Sequence, residues 1–587
     1  MKLHLGFIAL ITLASAQDRP NVVIVVTDDQ GYGDLACHGN PVIKTPNLDK
    51  LYSESTVLTD YHVAPTCSPS RAALLTGHWT NRTGVWHTIQ GRSMIRENEV
   101  TLGQHFAKDY ATAMFGKWHL GDNFPYRPED RGFEEVYRHG GGGVGQTPDL
   151  WDNSYFDGSY FHNGKIVPAK GYCTDVFFRK AQDFIRAKAA TKEPFLAYIS
   201  TNAPHGPLHC PQKYLDMYQD QKADIAAFFG MITNIDDNVG ATRKLLADLG
   251  IADNTLFIFT TDNGTATGAN LFNAGMRGQK GSEYDGGHRV PMFIHWPAAG
   301  LDKHLKFEPL CHAVDFVPTL LDACKVENTA NVKFDGWPLQ RLFNPKIEYE
   351  EVDRFLITDS QRLVDPVKWR KSAVMSQQFR LINGQELYNI NADPGQKNDI
   401  AKANPGQVAK MRAFYHKWWA ELEPTFTQTT EIHLGHPDHP KVTLTSHDWL
   451  NAAPPWNQGM IRKAQGSHKK KFGGHWAIKV LEEGTYKISL LRYPEEANLP
   501  INATVPAGKN VPGARKAFRT NPGVTLEATT AALLLNGKEV ATKTVGKKDT
   551  AITFTTKLTK GSHALAPIFR SAKGETGAFY CIVEKQR

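Results

Sequence analysis

The run Asn21-Val22-Val23-Ile24-Val25-Val26-Thr27, followed at once by Asp28-Asp29-Gln30-Gly31, decides how the rest of the chain is read. Unbroken β-branched residues with no polar alternation describe a strand buried on both faces, as in parallel sheets covered by helices. Phe195-Leu196-Ala197-Tyr198-Ile199-Ser200 is a second such run. A third, Thr255-Leu256-Phe257-Ile258-Phe259-Thr260-Thr261, also ends in an acidic pair of sorts, Asp262-Asn263-Gly264. Helical patterns lie between them. Strands alternating with helices predict a doubly wound α/β domain around a mostly parallel sheet. Such folds bind ligands beyond the carboxyl ends of their strands, so the two polar pairs are expected to converge.

Asp28, Asp29, Asp262 and Asn263 offer only oxygen donors. One acidic pair at a strand end ordinarily caps its own loop. Its repetition at a second buried strand end points to a metal site, and hard oxygen ligands select Ca²⁺ or Mg²⁺ over zinc.

Pro65-Thr66-Cys67-Ser68-Pro69-Ser70-Arg71-Ala72-Ala73-Leu74-Leu75-Thr76-Gly77 reads as a turn leading into a helix, with Ser68 as N-cap and Pro69 at the first helical position. Cys67 then lies beside a helix N-terminus, where an anion is favoured, and Arg71 can reach back from one turn on. Taken alone this is a capped helix with a buried cysteine. Cys67-x-Pro69-x-Arg71 followed by Ala-Ala-Leu-Leu-Thr-Gly nevertheless resembles the signature of the type I (formylglycine-dependent) sulfatases. Other segments as far as about Arg289 resemble that family in the same order. Tyr110-Ala-Thr-Ala-Met-Phe-Gly116-Lys117-Trp118-His119-Leu120-Gly121 is similar to its second signature, with Asp109 where the family usually has glycine. Asn202-Ala-Pro-His205 and the glycine-flanked Lys280 follow.

The resemblance implies an alkaline phosphatase-like fold and an arylsulfatase-like sulfuric ester hydrolase. It implies that Cys67 is oxidised to formylglycine (3-oxoalanine) by a formylglycine-generating or anaerobic maturation enzyme. It places one Ca²⁺ on Asp28, Asp29, Asp262, Asn263 and the modified residue 67. An oxygen of the aldehyde hydrate, activated by the metal, would attack sulfur in line with the leaving alcohol. Arg71, Lys117 and Lys280 would hold charge. His205, with Lys280, would protonate the leaving alcohol, and His119 would take the proton from the second diol oxygen so that sulfate leaves and the aldehyde returns. Without the resemblance, Lys117 reads as a solvated lysine and His119 as a hydrogen-bonded core histidine.

Arg138-His139-Gly140-Gly141-Gly142-Gly143-Val144-Gly145, followed by Trp151, Tyr155 and Phe156, suits a loop that packs on sugar rings, or equally a linker with its own small cluster. Arg138, His139, Gln361 and Arg362 are the candidates for contacting substrate, expected to be a sulfated poly- or oligosaccharide. The rivals are a phosphodiesterase or phosphonate hydrolase of the same superfamily, and a secreted glycan-binding protein with unmodified Cys67.

Length and composition set the frame. At 587 residues with 41% hydrophobic residues the chain holds two or three domains. A net charge of +7 is modest for this size, and with no nucleic-acid-reading motif it disfavours a nucleic-acid partner. The seven cysteines form no C-x-x-C pair, and those other than Cys67 are free to pair in an oxidising compartment. Residues 1–16 read as a signal peptide ending Ala14-Ser15-Ala16, with no membrane anchor, which makes the protein exported, periplasmic or secreted. The expected organisation is a catalytic α/β domain (17–345), a small antiparallel subdomain (346–424), a Pro-, His- and Gly-rich linker (425–473) and an accessory β-sandwich-like module (474–587). Asn536-Gly537 marks a hairpin in the last.

Overall fold

The computed structural model describes residues 19–343, 347, 354–464 and 473–586. The signal-peptide reading of residues 1–16, and the boundary placed at 345/346, lie outside the described residues.

A ten-stranded mixed sheet forms the centre, and its middle is parallel. Asn21–Thr27 lies between Thr255–Thr261 on one side and Phe195–Ser200 on the other, with Ala111–Gly116 next in line. Antiparallel pairs appear only toward the edges, for example Met292–His295 against Thr255–Thr261. The central strands are completely buried because both faces are covered. Val22, Ile24 and Val26 belong to one apolar layer, while Val23 and Val25 belong to the other with Phe177, Phe229 and Ile232. The latter come from the helices Cys173–Thr191 and Ala223–Asp248. The unalternating hydrophobicity of residues 21–27 is thus the direct record of a two-sided burial.

A four-stranded antiparallel meander follows, running Leu356–Asp359, Ser372–Met375, Phe379–Ile382 and Glu386–Asn389. The helix Pro405–Leu422 packs Met411, Tyr415 and Trp419 into the shared core. Beyond it stand two further sheets. One contains Trp476–Val480, Gly561–Ser571, Thr530–Leu535 and Lys538–Thr544; the other contains Tyr580–Lys585, Gly484–Leu491 and Ile552–Leu558. Asn536 and Gly537 both take positive φ (51° and 77°), the primed hairpin turn that this dipeptide favours.

Within the stretch 425–473, expected as a linker, residues 465–472 lie outside the described ones, and the part before them carries two paired strands. Ile432–Leu434 pairs in parallel with Trp476–Val480, and Lys441–Thr445 pairs with Tyr580–Lys585, so the segment supplies a strand to each sheet. Both are short, and only Lys441–Thr445 shows even partial alternation, so no period marks them in the sequence. All seven cysteines are free, and no helix among the described residues is long and apolar enough to cross a membrane.

Candidate active site

The parallel register of the central strands assembles the site. Thr27 is paired with Thr261, so Asp28-Asp29 and Asp262-Asn263 leave adjacent strands at the same level. Gly116 is level with Ser200, which brings Lys117 to the same edge from the next strand but one. Ligand atoms of Asp28, Asp29, Asp262 and Cys67 all lie within 4.8 Å of one another, and all four residues are buried. Asp29 adopts a left-handed conformation (φ 73°), with its N–H 3.2 Å from Asp262 Oδ1. His119 is the other site residue so held (φ 63°). Non-glycine residues keep such conformations only where surrounding contacts fix them, and they concentrate at functional sites.

Cys67 enters on a helix that begins two residues earlier than Ser68-Pro69 suggests. The helix is Cys67–Thr76, with Thr66 in the N-cap position and Pro69 as the third helical residue, where its missing N–H is still no loss. Cys67 Sγ lies 3.3 Å from Asp28 Oδ1 and 3.5 Å from Lys280 Nζ. Burial, with Asp28 beside it, pushes the thiol's pKa up, so that as a cysteine it is a neutral, weak nucleophile.

Each carboxylate has its own cation. Lys117 Nζ is 2.7 Å from Asp28 Oδ2, Lys280 Nζ is 2.5 Å from Asp29 Oδ1, and Arg71 donates through Nε and Nη2 to Asp262 Oδ2 at 3.0 and 2.7 Å. Arg71 is wholly buried and also bonds Ser200 Oγ. Burial and the neighbouring Asp28 raise Asp262 to about 6, whereas Lys280 and His205 pull Asp29 down against its burial. Asn263 donates Nδ2 to Asp29 Oδ1 at 2.9 Å, while its Oδ1 is buried with no partner among the described residues. Three converging carboxylates and one orphaned amide oxygen are a donor set of hard oxygens, which fits Ca²⁺.

Two histidines face this cluster. His119 Nε2 is 2.9 Å from the Thr88 carbonyl, which can only accept, so Nε2 carries the hydrogen and the buried, unpartnered Nδ1 is left as a proton acceptor. Burial and Lys117 keep its pKa well below the usual value. His205 Nδ1 is 2.7 Å from the Gly206 carbonyl, and its Nε2 lies 3.9 Å from Asp29 Oδ2. Burial lowers His205 to about 4, opposed by Asp29.

Cys67, Arg71, Lys117, His119, His205, Lys280, Asp28, Asp29, Asp262 and Asn263 are therefore brought together. Of the four residues expected to contact substrate, three are buried and one stands at the rim. Gln361 is buried and spends its amide on Asp359 Oδ2 and on the carbonyl and N–H of Val367. His139 is buried with Nδ1 on the Gly140 carbonyl. Arg138 is buried and paired to Asp122 and Glu129. All three side chains are turned inward: Arg138 and His139 within the glycine-rich turn, and Gln361 within the loop that follows Leu356–Asp359. Arg362 alone is at the rim, 3.9 Å from the position a Cβ on Gly281 would take.

Two contributors escape a sequence reading. Gly142 lies flat on His119: a Cβ there would come within 2.2–2.6 Å of three imidazole atoms. His447, from the segment read as a linker, stands 6.0 Å from His119 between ring centroids and is fixed by Asp448 Oδ1 at 2.9 Å. The adjacent His447-Asp448 was the available signal.

The Sulfatase family profile matches residues 20–326. N-acetylgalactosamine-6-sulfatase of Rattus norvegicus is 31% identical over 494 residues, 75% of this chain and 91% of the relative. Arylsulfatase J of Mus musculus is 27% identical over 467 residues, 67% of this chain and 74% of the relative. Among solved structures, Ps i-CgsB in complex with k-i-k-neocarrahexaose superposes with a TM-score of 0.62 at 29% identity, covering 68% of this chain and 93% of its own.

Proposed function

This chain belongs to the sulfatase family, which are sulfuric ester hydrolases, and from that premise we propose that it removes sulfate from sulfated poly- or oligosaccharides through an oxidised Cys67 and a bound Ca²⁺. The observation that carries the reading is the cluster of Asp28, Asp29, Asp262 and Cys67 within 4.8 Å at adjacent strand ends. A carbohydrate substrate is supported by the relatives, which include an N-acetylgalactosamine-6-sulfatase and an enzyme crystallised with a neocarrahexaose. The signal-peptide pattern read in residues 1–16 supports export, and the Cys67 motif supports action of a maturation enzyme.

Asp28, Asp29, Asp262 and Asn263 would hold the ion, which when bound supplies a positive centre that lowers the pKa of a ligated hydroxyl. The oxidised residue 67 supplies, as its hydrate, a nucleophilic oxygen and a second hydroxyl through which sulfate can be expelled. Arg71 orients Asp262 and closes the floor of the pocket. Lys117 and Lys280 place ammonium groups where the sulfate oxygens would accumulate charge, in a site shielded from water. His205 Nε2 is the free ring nitrogen on the open side, and an anionic ester beside it favours the protonated form that gives a proton to the departing alcohol. His119 Nδ1 takes the proton from residue 67 in the second step.

Expressed with a maturation enzyme, the Cys67 peptide should carry the mass of a residue whose sulfur is replaced by oxygen with loss of two hydrogens. That protein should release inorganic sulfate from sulfated sugars, and Cys67→Ala should release none. Chelation should lower both activity and thermal stability, and Ca²⁺ at about a hundred times its Kd should restore roughly 2.7 kcal/mol. A phosphodiester turned over faster than any sulfate ester would replace this reading with the phosphodiesterase one.

A further inference from the structure

The β module reaches the mouth of the site through the long connection between Gly484–Leu491 and Thr530–Leu535. This connection lies along residues 208–210. Cys210 N–H donates to the Pro512 carbonyl at 3.2 Å, Ala514 N–H donates to the Leu208 carbonyl at 3.0 Å, and His209 Nε2 is 2.7 Å from the Arg515 carbonyl. Farther along, Phe518 packs on Gly145, where a Cβ would come within 3.1 Å of its ring. These contacts hold Arg515 beside Gly206, the residue that follows His205. A Cβ on Gly206 would be 3.4 Å from Arg515 Nη1.

Arg515 is exposed, and among the described residues its guanidinium has no acidic or hydrogen-bonding partner. The cations inside the pocket are in the opposite condition, since Lys117, Lys280 and Arg71 each face a carboxylate. Arg362 repeats the arrangement beside Gly281, after Lys280, and its side chain is likewise unpaired among the described residues. Two arginine forks thus flank the reactive centre, one next to each residue expected to protonate the leaving group. A guanidinium presents paired donors matched to sulfate or carboxylate, and one whose backbone is fixed beside the site and whose fork carries no anion is available to such a group.

We propose that Arg515 binds a second anionic group, a sulfate or a carboxylate on the sugar next to the scissile ester, so that the β module selects multiply anionic glycans. The proposal rests on the sulfated-carbohydrate reading above and adds to it a subsite outside the residues matched by the family profile.

The test compares three sugars on the matured full-length protein: a monosulfated galactose disaccharide, its counterpart sulfated on both rings, and a monosulfated one whose neighbouring ring is a uronic acid. Arg515→Ala should lower kcat/KM for one or both doubly anionic sugars about ten-fold relative to the monosulfated one, the scale of a lost charge-assisted hydrogen bond. Arg515→Lys should recover part of that ratio. Loss confined to the disulfated sugar identifies a sulfate, and loss confined to the uronosyl sugar identifies a carboxylate. An equal change on all three sugars, or none, overturns the proposal. Calorimetric titration of the same sugars onto Cys67→Ala, with and without Arg515→Ala, reports the same ratio without turnover. If no sugar releases sulfate, the hydrolytic reading fails, and the binding ratio still decides for or against Arg515.

Discussion

Gly142 shows how finely single residues set this site. Its N–H donates to Gln146 Oε1 at 2.8 Å, and its missing side chain is what lets the His119 ring lie against the backbone. A methyl group at that position must move either the loop or the imidazole. Gly142→Ala should therefore leave KM nearly unchanged and lower kcat about 10²-fold, the lower end of what a positioned proton acceptor contributes. Steady-state kinetics on a variant whose unfolding temperature is unaltered makes the check, and a kcat within a few-fold of the parent would remove His119 Nδ1 from its assigned role. At this scale the sequence was informative where chemistry leaves a composition mark. The convergence of Asp28, Asp29, Asp262 and Asn263 was legible because the polar pair recurs at the ends of two buried strands, where this fold class gathers its ligands. For Gln361 and His139 residue type says nothing about which way a loop turns a side chain, and here both turn inward onto backbone carbonyls.

Among the elements, the small antiparallel meander is tied to the catalytic domain by a buried ionic network rather than by apolar contact alone. Arg380, from Phe379–Ile382, donates Nη2 to Asp60 Oδ1 at 2.7 Å and Nε to Asp285 Oδ1 at 3.2 Å. Asp60 meets His62 Nε2 at 2.8 Å, and His62 Nδ1 is 2.8 Å from His288 Nδ1. Burial, then the adjacent His62, lowers His288 to about 3 despite Asp285. In the unfolded chain a histidine takes up its proton near pH 6.5. The unfolded state therefore binds more protons below that pH, and the stability held by neutral His288 begins to fall there and is gone by about pH 3. The gap in unfolding free energy between the parent and His288→Gln should narrow by about 2 kcal/mol from pH 7.5 to 5, at 1.36 kcal/mol per unit. Denaturant titrations at the two pH values measure it, and a constant gap would mean that His288 is not held neutral. Strands were readable in proportion to their length and burial. The runs at 21–27 and 255–261 announced themselves, whereas the three residues of Ile432–Leu434 carry too little period to be told from loop and become a strand only because Trp476–Val480 supplies the partner.

For the molecule as a whole, the β module is part of one body with the catalytic domain. Trp449, Trp476 and Ile488 share an apolar cluster with Val22, Ile24 and Met114 of the central sheet side. Polar bonds cross the same seam: Tyr126 Oη donates to the Glu431 carbonyl at 2.7 Å, Tyr580 Oη to the Thr147 carbonyl at 3.0 Å, and Gln458 Nε2 to the Leu150 carbonyl at 2.8 Å. Gln90 N–H donates to the His447 carbonyl at 2.9 Å, two residues beyond Thr88, which holds His119. Removal of the module would expose apolar surface at roughly 25 cal/mol per Å² and exchange those hydrogen bonds for bonds to water, each at about 0.5–1.5 kcal/mol net. Full-length protein should accordingly unfold in one calorimetric transition whose van't Hoff and calorimetric enthalpies agree. A chain ended after Leu422 should be insoluble or unfold at a markedly lower temperature, with lost activity preceding lost helix. Two separated transitions in the full chain, or a soluble truncated chain with the parent unfolding temperature, would show instead that the module rides on an independently stable enzyme and that its contacts with the site are incidental.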